Sequence, residues 1–142
     1  AAEGAAAASG LAYLLWRCRR DFAAAADVAT AAAHPAVAAA AQQLRVDPAQ
    51  PLVVVAAEVG LSADRLGRLF RAETGLALVD YRTRIRLDRV CLMWKPGTDL
   101  LTLALDAGFG SYSAFNRAFR RRFCCAPRGF LASAAIDDRV LR

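Results

Sequence analysis

Ser113, Asn116, Arg117 and Arg120 recur at i, i+3, i+4 and i+7, so on a helix they form one polar stripe. Their side chains suit a flat, edge-on partner. A guanidinium offers a rigid fork of donors that can bond guanine O6 and N7 together, and a carboxamide can pair with an adenine edge. Phe115, Phe119 and Phe123 occupy the opposite face at i, i+4 and i+8 and need a core to bury them. Upstream, Arg68 lies on a similar stretch whose inward residues are Leu66, Leu69 and Phe70.

Two helices of this kind must be held by something, and the residues before each supply it. Ala56–Ala57–Glu58–Val59–Gly60–Leu61–Ser62 leads into the first, and Ala104–Leu105–Asp106–Ala107–Gly108–Phe109 followed by Ser111 leads into the second. In both, a small alanine lies four residues before a glycine, and a serine then caps a helix. Alanine permits close approach of two helix backbones, glycine tolerates a positive φ at the turn, and serine satisfies the open amides of the next helix. This is the spacing of a helix-turn-helix, and two in series point to a sequence-specific reader of duplex DNA.

The remaining elements follow from periodicity and punctuation. Ala1–Gly10 is an Ala/Gly/Ser stretch expected to be poorly ordered. Leu11–Ala33 is expected to be helical, with Leu11, Leu14, Leu15, Cys18 and Phe22 forming an apolar face that packs on protein. Helices are expected over Pro35–Leu44, Leu52–Val59, Ala63–Thr74, Val79–Trp94, Leu100–Ala107 and from Ser111 to Phe123, with a short one after Pro127. No strand is expected. The fold class is therefore all-α: two helix-turn-helix subdomains joined by a long linker helix and preceded by a helical N-terminal tail. The expected divisions are 1–33, an Ala-rich helical tail that reads as the remnant of an effector domain; 34–132, the DNA-binding domain; and 133–142, a C-terminal tail.

Bulk properties agree. The 142 residues carry a net charge of +6, and Leu61–Phe130 holds 13 Lys+Arg against 6 Asp+Glu, so the excess is confined to the two repeats and their linker. A basic excess of this kind fits a polyanionic partner. With a single histidine, no metal-ligand spacing and no glycine-rich phosphate loop, the chain offers no catalytic constellation, no metal site and no cofactor site. Cys18, Cys91, Cys124 and Cys125 include no C-x-x-C pair, which fits a reduced, cytoplasmic protein. No apolar run approaches the ~20 residues that span a bilayer. A protein-interaction or thiol-sensing module is the alternative: Cys124 and Cys125 adjoin Arg120–Arg122, which would lower a thiol pKa.

From His34 to Leu131 the residues resemble the AraC/XylS-type bacterial transcriptional regulators. The resemblance lies in Ala56–Ser62, Leu66-Gly67-Arg68-Leu69-Phe70, Glu73-Thr74-Gly75, Tyr81 and Arg86-Leu87. It continues in Gly108-Phe109, Ser113-Ala114-Phe115-Asn116-Arg117-Ala118-Phe119, Arg121-Arg122-Phe123 and Pro127. It implies that recognition helices over about 63–74 and 111–123 enter successive major-groove segments on one face of the DNA. The implied base readers are Asp64, Gly67 and Arg68 in the first, and Tyr112, Ser113, Asn116 and Arg117 in the second. Arg65, Arg71, Arg82, Arg84, Arg120 and Arg121 are then expected to hold phosphates. Double-stranded DNA is the expected partner, with RNA polymerase and a second subunit, docked through the N-terminal helix or a further domain, as additional ones. The chain departs from the family pattern at Cys124, where glycine is usual and a strained cap is expected, and at Leu131, where arginine is usual. Val53, Val54, Leu101 and Leu105 also replace commonly polar residues, and are expected either to face another domain or subunit or to mark a degraded sequence.

Overall fold

The structure is a computed structural model that describes residues 2–25 and 34–140, and its elements among these residues are all helices. They are α1 (Ala2–Ala25), α2 (Pro35–Val46), α3 (Leu52–Glu58), α4 (Ala63–Thr74), α5 (Leu78–Met93), α6 (Leu100–Asp106), α7 (Tyr112–Phe123) and α8 (Pro127–Val140). The all-α expectation holds.

The two turns are built alike. In the first, the Gly60 amide donates to Ala57 O at 3.0 Å and the Leu61 amide to Ala56 O at 2.9 Å; in the second, Gly108 donates to Leu105 O at 2.9 Å and Phe109 to Ala104 O at 3.0 Å. This paired 5→2 and 6→1 arrangement closes a helix with a left-handed residue, here Gly60 (φ 75°) and Gly108 (φ 101°). Ala56 and Ala104 are buried, as close packing of the helix pair requires. The next helix is capped in each case by serine: Ser62 Oγ accepts from the Arg65 amide at 3.2 Å, and Ser111 Oγ from the Ala114 amide at 3.1 Å.

Each unit has its own core. Val37, Leu44, Val55, Leu66, Phe70, Leu78 and Tyr81 fill the first. The second is aromatic, with Phe109, Phe115, Phe119, Phe123 and Phe130 joined by Trp16, Leu87, Val90 and Leu131. Helix α5 belongs to both, giving Leu78 and Tyr81 to one and Leu87 and Val90 to the other. Its polar side chains fasten neighbours. Arg89 donates to the Arg45 and Val46 carbonyls at 3.1 and 3.0 Å, closing the end of α2, and Arg86 Nε donates to Pro48 O at 2.7 Å. Leu131, the departure noted above, is buried in the second core.

The N-terminal helix differs from expectation at its start. It starts at Ala2, so residues expected to be poorly ordered are helical. And the leucine face points outward: Leu11, Leu14 and Leu15 are 60%, 51% and 56% exposed. The face that docks is Ser9, Ala12, Tyr13 and Trp16, laid along α8. Shape and a polar handle decide between the faces. Gly129 sits under Ser9, leaving room for close approach, and the Tyr13 and Trp16 rings pack on Phe130 with centroids 5.5 and 5.8 Å apart. An indole also buries more area than a leucine provided its N–H finds an acceptor, and Trp16 Nε1 donates to Asp88 Oδ1 at 2.8 Å. Residues 26–33 of the expected tail helix and the side chain of Phe22 lie outside what is described. Helix α8 continues to Val140, through most of the segment read as a C-terminal tail.

Helix α7 ends on Cys124, whose φ of 56° makes it the non-glycine residue in the left-handed region among those described; Gly75 fills the equivalent place after α4. The expected cap strain is therefore present, and replacing Cys124 with glycine is predicted to raise stability by about 1 kcal/mol, measured by urea unfolding. The turn glycines separate two causes. A Cβ at Gly60 would meet nothing within 4 Å, whereas one at Gly108 would lie 2.6 Å from Ala49 Cα and 2.9 Å from Arg86 Cζ. Gly60→Ala is thus predicted to cost only the conformational penalty, about 1–2 kcal/mol. Gly108→Ala should cost clearly more, and equal losses would mean that Ala49 and Arg86 yield freely.

Candidate nucleic-acid interface

The exposed surfaces of α4 and α7 carry the expected stripes. On α4, Asp64, Arg68 and Arg71 recur at i, i+4 and i+7, with Arg65 beside them, and all four are exposed. Leu66 and Phe70 are buried behind them and Leu69 is partly so. Asp64 lies in the first turn of α4, where a carboxylate is favoured by the helix dipole whether or not it meets a base. Gly67 is half-buried, and a Cβ there would meet nothing within 4 Å, so the stripe is open around Arg68.

On α7, Ser113, Arg117, Arg120 and Arg121 are exposed, while Asn116 is half-buried on the same face. Phe115, Phe119 and Phe123 are sealed behind, with successive ring centroids 5.7 and 4.5 Å apart. Tyr112 is divided between roles. It is half-buried, and its ring leans on Phe115 at 5.7 Å, so its packing sets where the hydroxyl can reach. Arg120, Arg121 and Arg122 lie in the last turn of α7, where cations also offset the dipole of that end.

The two linker arginines expected to hold phosphates, Arg82 and Arg84, differ. Arg84 is exposed, and its backbone carbonyl accepts from Arg122. Arg82 is half-buried with its Nε out of water, and burial pushes its pKa down. Little of Arg82 is therefore presented outward compared with Arg84. Arg86 is committed to Pro48 O; burial and the nearby Arg82 lower its pKa to about 10, which leaves it charged at neutral pH.

Sequence reading missed one cluster of direct consequence for α7. Asp88 Oδ1 accepts from Trp16 Nε1 at 2.8 Å and from Arg122 at 2.9 Å, and the same Arg122 nitrogen reaches Arg84 O at 2.9 Å. The one cue available was an acid, Asp88, set among arginines on a basic helix. Two of the cysteines are shielded from solvent to different degrees. Burial pushes the Cys125 thiol pKa up, outweighing the effect of Arg120, and it also raises that of Cys91. No group of three or more His, Cys, Asp or Glu is arranged to hold a metal ion among the described residues, and no described helix is long and apolar enough to cross a membrane.

Val53 (70%), Val54 (41%), Leu101 (43%) and Leu105 (47%) are exposed on α3 and α6. The first and third occupy equivalent places, seven residues before Gly60 and Gly108. They lie on the first helix of each pair, not on the helix that carries the polar stripe.

Comparison with known proteins agrees with this architecture. No curated protein sequence matches the chain. Among solved structures, the C-terminal domain of AraT, a response regulator from Geobacillus stearothermophilus, is similar over 72% of this chain and 88% of that one, with a TM-score of 0.64 and 21% identity, which establishes a shared fold. A family model described as "Helix-turn-helix domain", of the AraC type, matches residues 55–133, more than half of the chain and both turns described above. The chain belongs to this AraC-type helix-turn-helix family of DNA-binding transcription regulators.

Proposed function

We propose that the chain binds duplex DNA by laying α4 and α7 into successive major-groove segments, with the α7 stripe carrying the larger share of sequence discrimination. The observation that carries this reading is the repeated construction: the same left-handed turn and the same serine cap each lead into a helix with a buried apolar face and an exposed polar one. In this reading Arg68, Asn116 and Arg117 meet base edges, with Asp64, Tyr112 and Ser113 beside them. Arg65, Arg71, Arg84, Arg120 and Arg121 meet phosphates, and Arg82 contributes mainly through its charge. The imbalance between the helices follows from their side chains. Around Arg68 the first helix offers Gly67, which has no side chain, and Asp64, which repels phosphate unless it accepts from a cytosine amino group. The second offers Ser113, Asn116 and Arg117 in one row.

Selection from a pool of random duplexes at physiological salt should yield a preferred site. On that site Arg117→Ala is expected to cost about 1–3 kcal/mol and to relax preference at one base pair. Arg120→Ala should instead weaken all duplexes alike and reduce the salt slope by about one unit. A loss for Arg117→Ala that is equal on selected and random duplexes would overturn base reading there.

We further propose that α1 pairs with a second copy of the chain through its exposed leucines, a reading favoured by the outward stripe of Leu11, Leu14 and Leu15. Sedimentation should show self-association that Leu14→Glu/Leu15→Glu abolishes; a wild type that stays monomeric at high concentration would refute it.

A further inference from the structure

Helix α7 is held from behind by two routes that both begin at Trp16. One is polar: Trp16 Nε1 and Arg122 donate to the same oxygen of Asp88, at 2.8 and 2.9 Å. Arg122 also bonds Arg84 O at 2.9 Å and lies 5.0 Å from the centroid of the Phe123 ring, so its position is fixed by α5 on one side and by α7 on the other. The other route is aromatic: Trp16 packs on Phe130 at 5.8 Å, and Phe130 packs on Phe123 at a tilt with centroids 4.5 Å apart and meets Phe119 edge-on at 5.2 Å. Trp16 is 7% exposed, so removing it opens a cavity rather than clearing a surface. Neither route enters the first unit, whose core of α2–α5 residues includes none from α1.

We propose that α1 is a strut for the second recognition helix, and that Trp16 is a positioning residue that sets how the α7 stripe faces DNA without touching DNA itself. The proposal rests on the reading of α7 as the principal base reader. Asp88 is the joint. With both donors in place, its Oδ1 fixes Arg122 against α5 and so holds the last turn of α7. Without the indole N–H, Arg122 is left as the donor from the helix side, and the last turn gains freedom. Because the stripe from Ser113 to Arg120 is continuous with that turn, a small rotation there displaces Asn116 and Arg117 from the base edges they address. A misplacement of this kind costs affinity only where bases are read by α7.

The test uses the selected duplex and two derivatives, each with one half scrambled, against wild type, Trp16→Phe and Trp16→Ala. Trp16→Phe keeps an aromatic ring and loses the N–H. It is expected to weaken binding that depends on the second half by roughly three- to thirtyfold, with Trp16→Ala at the upper end. Binding to the duplex that retains only the first half should stay unchanged. In the free protein, backbone amide resonances of Asn116–Arg122 should shift while those of Asp64–Arg71 do not. Asp88→Asn should produce the same pattern, and in combination with Trp16→Phe should add little. Equal losses on both halves would mean that α1 serves stability alone, and no loss on either half would mean that α7 needs no strut; each result overturns the proposal. If wild type shows no preference in the second half, the base-reading assignment fails on the wild-type data alone, and the strut falls with it.

Discussion

Everything in this molecule depends on α5 being shared by two interiors. Four apolar residues on one helix, Leu78, Tyr81, Leu87 and Val90, are split between cores that otherwise have separate memberships. The polar residues between them bond outward to what each core cannot reach by packing. Arg86 and Arg89 take the carbonyls of Pro48, Arg45 and Val46, and Asp88 takes Arg122 and Trp16. Burial is non-directional, but a hydrogen bond to a named carbonyl fixes an angle. The apolar residues therefore hold the units to α5, and the guanidiniums set their orientation about it. The orientation of α4 relative to α7 is thereby set by directed bonds as well as by burial.

The partition of the arginines follows from this. A basic helix in a DNA-binding chain invites the reading that every cation meets phosphate. Here the linker uses Arg86 and Arg89 on the carbonyls of Pro48, Arg45 and Val46 at and after the end of α2, and only part of its charge remains exposed, as at Arg84. On α7 the division is sharper. Arg117, Arg120 and Arg121 face out, while Arg122, next in sequence, turns back to Asp88 and the Arg84 carbonyl. Net charge describes the first group and says nothing of the second.

Local signals were legible and long-range ones were not. Alanine, glycine and serine at fixed offsets gave both turns and both caps, because those features depend on φ, on side-chain size and on a hydroxyl within three residues of an amide. The burial of Phe115, Phe119 and Phe123 could be read from their period. The position of α1 could not. Its leucine period and its Ser9–Tyr13–Trp16 face are both helical patterns, and the choice between them is made by the shape of α8 at Gly129 and Phe130, far along the chain. The pairing of Asp88 could not be read for the same reason, since its partner Trp16 lies 72 residues away. At Cys124 the strain was foreseeable from the missing glycine, because a left-handed cap depends on the residue's own φ.

Two interiors on one rod also define where the molecule is weakest. Between Tyr81 and Leu87 the helix passes from one apolar cluster to the other, with Ile85, partly buried against the first, as the hydrophobic residue of that stretch. Cooperative opening in such an architecture runs along contiguous packed units. By that principle the first core and the aromatic core, to which α1 contributes Trp16, are expected to open as separate units.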